Sequence, residues 1–409
     1  MLANLVKVEQ SHSVSFADYV RVRESDGHRI IKMQTGDPDF ATHPRIVQAA
    51  HEALVDGQTK YCESRGLLSL RNAIAKKLAE SNGINVSSAE NILVTHGAVH
   101  GIGITIRALI NPGDECIICE PFWRSYQMNV ILAGGTPVIV KASPQTAFQL
   151  ESKNILARIT PRTKAIVINT PNNPSGAVYD RNELVKLASA AASRGVYIIS
   201  DEVYESLIFD INRHYSVASD PEVFDWTISA FSFSKTHAMT GWRVGYLVAS
   251  KLVTDELLKL SQFSVTSLSP FSQLAALEAL NNKEVGIYAE EMRLEYEKRR
   301  NKISAAIIGS WLEQTMTCPE GTFYALIDTS RFGMPSLELA KKIVDFAGVA
   351  FTPGIAFGDG MDGYLRMCFA TSDENIDFAI EALIQAERKW AVMPPIAPVN
   401  FVNNNIAAD

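Results

Sequence analysis

Between residues 91 and 249 the chain alternates short, largely apolar runs with longer segments whose apolar residues return every three or four positions. The runs over 91–95, 114–120, 136–141, 163–169, 196–201, 226–232 and 244–249 read as strands buried on both faces. The periodic segments over 98–109, 122–133 and 181–193 read as helices. This alternation predicts an α/β fold with a mostly parallel sheet in a three-layer αβα unit. Upstream, helices are predicted over 16–24, 44–56 and 67–81. Downstream, helices over 252–263, 270–281 and 285–308 lead into a smaller α+β unit. Its strands are expected over 322–327, 349–352 and 364–369, and its helices over 336–347 and 372–391. The end, with Pro394, Pro395 and the run Asn403-Asn404-Asn405, has loop composition and is expected to be a mobile tail.

Composition narrows the function classes. A chain of 409 residues exceeds one typical core, so two domains are expected. A net charge of −7 argues against a nucleic-acid or anionic-membrane partner, either of which needs clustered Lys and Arg. No apolar run approaches the roughly 20 residues that span a bilayer, and the first residues lack a signal-peptide core. The lead-in of 30-odd residues leaves no room for a DNA-binding module. Five cysteines in a large chain read as reduced, so the expected location is cytoplasmic. Cys116 and Cys119 stand three apart in a strand and should point to opposite faces as core filler. His96 and His100 are four apart, but His96 precedes its helix and no third ligand is evident, so no metal site is expected.

Candidate chemistry collects at the carboxyl ends of the strands, where ligands bind in such sheets. Lys235 follows one strand in a run of small and apolar residues; burial there would lower its pKa and make the amine a nucleophile towards a carbonyl. Arg243, eight positions on and between Gly241 and Gly245, could hold a phosphate. Gly97, Ala98 and Val99 open a helix directly after a strand, an arrangement whose free N–H groups and dipole suit an anion. Asp201 ends another strand, where it either caps a helix or meets a cation. Trp123 could stack on a flat ring or fill a core. The Asn173 turn, Thr170-Pro-Asn-Asn-Pro-Ser-Gly176, follows a further strand, and Gly36 sits in a turn before Asp37-Pro38. Arg366 lies inside an apolar strand with no acidic neighbour in that stretch, which favours a substrate carboxylate as partner.

Together these residues resemble the class I aminotransferases of pyridoxal-phosphate fold type I, the aspartate aminotransferase-like family. The likeness runs from about Gly36 to Ala391. It rests on Ser-x-Ser-Lys-x-x-Ala-Met-x-Gly-x-Arg-x-Gly over 232–245, Asn-Asn-Pro-Ser-Gly over 172–176 and Ser-Asp-Glu-Val-Tyr over 200–204. The resemblance implies a transaminase with pyridoxal 5′-phosphate as cofactor, moving an amino group from an L-amino acid to a 2-oxo acid. It implies a large cofactor domain over 44–290, and a small domain over 291–392 joined by the N-terminal segment 1–43. In it Lys235 would carry the Schiff base and shuttle a proton, Asp201 would pair with the ring nitrogen, and Tyr204 and Asn173 would bond the ring 3-oxygen. Trp123 would stack on the ring, while Gly97, Ala98, Val99, Ser232, Ser234 and Arg243 would bind the phosphate. Tyr61 would reach the phosphate from a neighbouring subunit, making the protein a homodimer with shared sites. Arg366, with Gly36 and Asn173, would clamp the substrate carboxylate. Val99-His100 stands where many relatives have a more polar pair, and His100, Arg124 and the 11–20 segment are candidates for the side-chain pocket. The same anchors would serve a lyase or a β/γ-elimination or replacement enzyme.

Overall fold

The computed structural model describes Val8 and residues 10–392. The expected tail lies outside the described residues. The first strand is β1 (Ile31–Lys32). Then come β2 (Ile92–Thr95), β3 (Glu115–Glu120), β4 (Thr136–Lys141), β5 (Thr163–Asn169), β6 (Tyr197–Asp201), β7 (Thr227–Ser232) and β8 (Gly245–Val248). Last come β9 (Tyr324–Asp328), β10 (Val349–Ala350), β11 (Thr352–Pro353) and β12 (Tyr364–Cys368).

The apolar runs build a seven-stranded sheet in the order β2-β8-β7-β6-β5-β3-β4. Only β8 opposes its neighbours. The carboxyl ends of the other six strands therefore share one edge, and the start of β8 joins them there, with Gly245 opposite both Thr95 and Ser232. Side chains alternate between two buried faces. Along β3, Cys116 and Ile118 enter one core while Ile117 and Cys119 enter the other, which is why the two cysteines cannot share a ligand. Helices Gly97–Leu109, Ser125–Leu132 and Lys251–Val265 cover the first face through Ile102, Val130 and Leu257. Helices Pro44–Val55, Leu68–Lys77, Arg181–Ala192 and Pro270–Asn281 cover the second.

A smaller layer holds the antiparallel sheet β11-β12-β9 and the parallel pair β1-β10. Its core joins Phe16, Val20 and Met33 to Ile303, Met367 and Leu383, so residues from both ends of the chain build it. The 24-residue helix Lys283–Ala306 contributes Met292, Tyr296 and Ile303 to that core.

Some boundaries differ from expectation. The strand expected over 349–352 is two strands with different partners, β10 beside β1 and β11 beside β12; a continuous apolar run carries no mark of such a change of sheet. The helix expected from Phe122 starts at Ser125. Phe122 instead belongs to a turn, where its N–H donates to the Phe357 carbonyl (3.0 Å) and ties the two layers. The helix expected over 67–81 is α-helical from Leu68 to Lys77 and ends in a π-helical turn, Leu78–Asn82, stopped by Gly83. The N-terminal helix is longer than its pattern suggested, His12–Ser25, because Ser11 caps it through the Val14 N–H (3.4 Å).

Candidate functional site

The shared strand edge and the smaller layer enclose a cavity of about 610 Å³. Strand β7 delivers its most reactive group. The Ser232 hydroxyl accepts the Ser234 N–H (3.1 Å) and starts a four-residue helix, Phe233–Thr236, that turns Lys235 into the cavity. Lys235 Nζ donates to the Gly36 carbonyl (2.6 Å). Burial drives the amine down to about 8, with the Asp37 carboxylate pulling the other way.

Strand β6 ends on Asp201, which is 3% exposed. Its Oδ1 accepts the Val203 N–H (3.2 Å) and its Oδ2 the Tyr126 hydroxyl. Burial pushes the carboxyl up to about 6, and those two bonds only partly offset it. No helix starts at Asp201, so the capping alternative falls away; among the described residues its hydrogen-bond partners, the Val203 N–H and the Tyr126 hydroxyl, are both neutral.

Strand β5 leads into the Asn173 turn. Asn169 pins this turn to β6: its Oδ1 accepts the Asn173 N–H (2.8 Å) and its Nδ2 donates to the Asp201 carbonyl (3.0 Å). From β12, Arg366 Nη1 donates to Asn173 Oδ1 (3.0 Å). A guanidinium only donates, so the asparagine oxygen must face it, which leaves Asn173 Nδ2 for a ligand. Arg366 is 6% exposed, and Nη2 bonds the Gln34 carbonyl (2.7 Å) and Thr352 Oγ1 (3.1 Å). Nε has no partner, and among the described residues all of its hydrogen-bond acceptors are neutral. Among the described residues the charge is thus oriented by neutral acceptors only.

Strand β2 leads into helix Gly97–Leu109, and Ala98 and Val99 in its first turn line the cavity. Arg243 closes over that turn. It holds a left-handed backbone (φ 57°), uncommon for a residue with a side chain, and donates from Nη1 to the Thr240 carbonyl (2.7 Å). A Cβ on Gly97 would sit 2.6 Å from Arg243 Nη2, so only glycine allows this approach. The hydroxyls of Ser232 and Ser234, 2.9 Å apart, also face the cavity. A helix N-terminus, two hydroxyls and a guanidinium together make an anion subsite.

Part of the remaining wall is aromatic. Trp123 lies edge-on to Tyr126, with ring centroids 5.6 Å apart. The Tyr204 hydroxyl is 3.0 Å from that of Tyr324. Of the residues singled out from the sequence, Gly97 does not itself line the cavity but lies beneath Arg243, and Tyr61 is not brought to it. It is 86% exposed and lies in a shallow groove with His96 and Ser267. His100 is a correction: its Nε2 bonds Ser264 Oγ (3.0 Å) and it does not line the cavity. Arg124 does line it and pairs with Asp359 (2.8 Å), and from the 11–20 segment Ser11 and Ser13 reach it.

Sequence reasoning missed Tyr126, Asn169, Gln34 and Tyr324. Tyr126 was findable, since it stands three residues after Trp123, and its N–H donates to the Trp123 carbonyl (3.0 Å). Gln34 acts through its carbonyl, which no side-chain pattern reveals, and Tyr324 looks like any aromatic in an apolar strand.

A family model described as "Aminotransferase class I and II" matches residues 28–383. The chain is 37% identical over 354 residues to the aromatic-amino-acid aminotransferase 2 of Thermococcus litoralis, covering 87% of this chain and 90% of that protein. It is 37% identical over 357 residues to the aspartate/prephenate aminotransferase of Thermus thermophilus, with coverage of 87% and 90%. Among solved structures, the Thermus thermophilus aspartate aminotransferase with maleate superposes with a TM-score of 0.89 at 34% identity, over 94% of this chain and 99% of that one.

Proposed function

Because the chain belongs to the class I and II aminotransferase family and is a pyridoxal-phosphate-dependent transaminase, we propose that Lys235 is its covalent anchor and proton carrier, Asp201 the partner of the cofactor's ring nitrogen, and Arg366 the holder of the substrate carboxylate. The observation that carries this reading is one cavity flanked by an amine brought down to about 8, a buried acid whose hydrogen bonds come from neutral donors, and a guanidinium whose acceptors among the described residues are all neutral. Each lacks what pyridoxal phosphate and an amino acid would bring. The anion subsite at Gly97, Ala98, Val99, Ser232, Ser234 and Arg243 suits the phosphate, and the closure of Arg243 over Gly97 suits a dianion.

When bound, the cofactor supplies an electron sink that acidifies the α-hydrogen of an amino acid. Asp201 keeps a proton on the ring nitrogen by offering it a desolvated anion. Lys235 Nζ, its pKa brought down to about 8 by burial, would hold the cofactor's carbonyl carbon and would carry the proton between the substrate α-carbon and the cofactor. Trp123 would orient the ring by stacking, and Tyr204 and Asn173 Nδ2 would hold its 3-oxygen. Gly36, with Asn173, backs the carboxylate that Arg366 binds.

The names of the relatives make aspartate and phenylalanine the first donors to try. Adding either alone should convert the cofactor stoichiometrically to its amino form and release one equivalent of 2-oxo acid. Catalytic release of ammonia without an acceptor would instead identify a lyase or elimination enzyme. Arg366→Ala should weaken the binding of carboxylate substrates by about 2–5 kcal/mol, because it leaves the substrate's charge desolvated and unpaired. Unchanged substrate affinity with lower turnover would count against this role.

A homodimer with shared sites is part of the same reading, with Tyr61 reaching the phosphate of the neighbouring subunit. Its support is the exposure of Tyr61, together with that of Phe263 (94%). The division into a unit over 44–290 and a unit formed by 1–43 with 291–392 is likewise proposed, and is supported by the separate core that Phe16 and Met33 share with Leu383. A cytoplasmic location is supported by five free cysteines. Among the described residues no helix is long and apolar enough to cross a membrane.

A further inference from the structure

We propose that Tyr324 is a positioning residue that joins the two halves of the site, setting the hydrogen bond of Tyr204 through its hydroxyl and the plane of Arg366 through its ring. This rests on the reading above for Tyr204 and Arg366. Tyr324 is fully buried at the start of β9, and three candidate site residues meet on it. Its hydroxyl is 3.0 Å from that of Tyr204. The Arg366 guanidinium lies over its ring, with Cζ 4.1 Å from the centroid, and touches the Phe357 ring at 4.9 Å. A Cβ on Gly36 would fall 2.1 Å from the Tyr324 hydroxyl, so the glycine at that turn makes room for it. The Gly36 carbonyl in turn receives Lys235 Nζ.

The direction of the Tyr324–Tyr204 bond follows from counting protons. A tyrosine hydroxyl has one hydrogen to give. If Tyr204 gives its hydrogen to the ring 3-oxygen, the bond between the tyrosines must be donated by Tyr324. Tyr324 is suited to this: burial raises it only to about 12, with Arg366 restraining the rise, whereas Tyr204 is driven well above its ordinary value. The other groups facing Tyr324 are Cys368 on β12 and Asp37 in the adjoining turn. A hydroxyl that already accepts a hydrogen bond is a stronger donor. Tyr324 therefore strengthens the bond that stabilises a negative 3-oxygen and favours loss of the proton it would share with the Lys235 nitrogen. The ring has a separate task. A guanidinium held flat against an aromatic face keeps its edge pointed at a carboxylate.

Two substitutions separate the tasks in the holoenzyme. Tyr324→Phe keeps the ring and removes the hydroxyl. Spectroscopic pH titration should show the visible transition of the bound cofactor shifted upward by about half to one pH unit, the equivalent of one neutral hydrogen bond. Maleate and 3-phenylpropionate should inhibit this variant within about twofold of the parent, since the ring still supports Arg366. Tyr324→Leu should show the same shift and also bind both inhibitors about tenfold more weakly. A role confined to packing would lower thermal stability in both variants and leave the titration in place, and that result would overturn the proposal. A Tyr324→Phe titration superimposable on that of the parent would do so as well. A parent protein with no pH-dependent visible band would instead refute the site reading itself, so the two failures are distinguishable.

Discussion

Lys235→Ala is expected to lower turnover by more than about 10⁵-fold and to abolish the visible absorbance of the bound cofactor. Both losses follow from one nitrogen. No other described amine lines the cavity, so no neighbour can replace the nucleophile or carry the α-proton. The phosphate subsite is untouched, and equilibrium dialysis should still find cofactor associated with the variant. A variant that kept both its colour and its turnover would overturn the assignment. The substitution has a second signature, in the stability of the cofactor-free chain. The amine titrates at about 8 when folded against an ordinary 10.5. The unfolded chain therefore binds more protons between those values, and the native state gains stability as pH rises through that window. The difference, 10.5 − 8 = 2.5, corresponds to about 3 kcal/mol, fully present above 10.5 and lost as pH falls through 8. Denaturation of Lys235→Ala should lack that rise.

What the sequence revealed, and what it concealed, divides along physical lines. Strands buried on both faces have no polar face to mark, so the continuous runs of β3, β5, β6 and β7 betrayed themselves and fixed the ligand edge. Polar residues at the ends of such runs, Asp201 and Lys235 above all, stood out because burying them costs free energy without a partner. Tyr324 and Tyr126 gave no such contrast. An apolar ring with a single hydroxyl passes for core until its neighbours in space are known. The contribution of Gln34 lies in its carbonyl, which every residue possesses. The apolar run over 349–352 concealed a change of sheet, since periodicity reports burial but not which strand lies alongside. Tyr61 was legible as an exposed loop residue.

Asp201 carries the clearest conflict between stability and function. In the cofactor-free chain its carboxyl is raised from 3.8 to about 6, chiefly by burial. A raised acid contributes stability below its unfolded value, and that contribution is lost as pH rises through the folded one. Above about pH 6 the charge therefore costs the fold about 3 kcal/mol, from 6 − 3.8 = 2.2 pH units. Asp201→Asn removes the charge and keeps the shape. The amide oxygen can still accept the Val203 N–H, and the Tyr126 hydroxyl can rotate to accept from the new amide. The cofactor-free variant should accordingly be more stable than the parent above pH 6, by up to about 3 kcal/mol, and equal to it below pH 4. Turnover should move the other way. A neutral amide does not hold a proton on the ring nitrogen, and a loss of about 10²- to 10⁴-fold is expected, together with weaker cofactor binding. Denaturation profiles of both cofactor-free chains and single-turnover rates of both holoenzymes test the pair of signs. A structural acid would lower stability when replaced and leave the chemistry near its parent rate. Opposite signs mean that the fold carries an unpaired charge whose partner arrives with the cofactor.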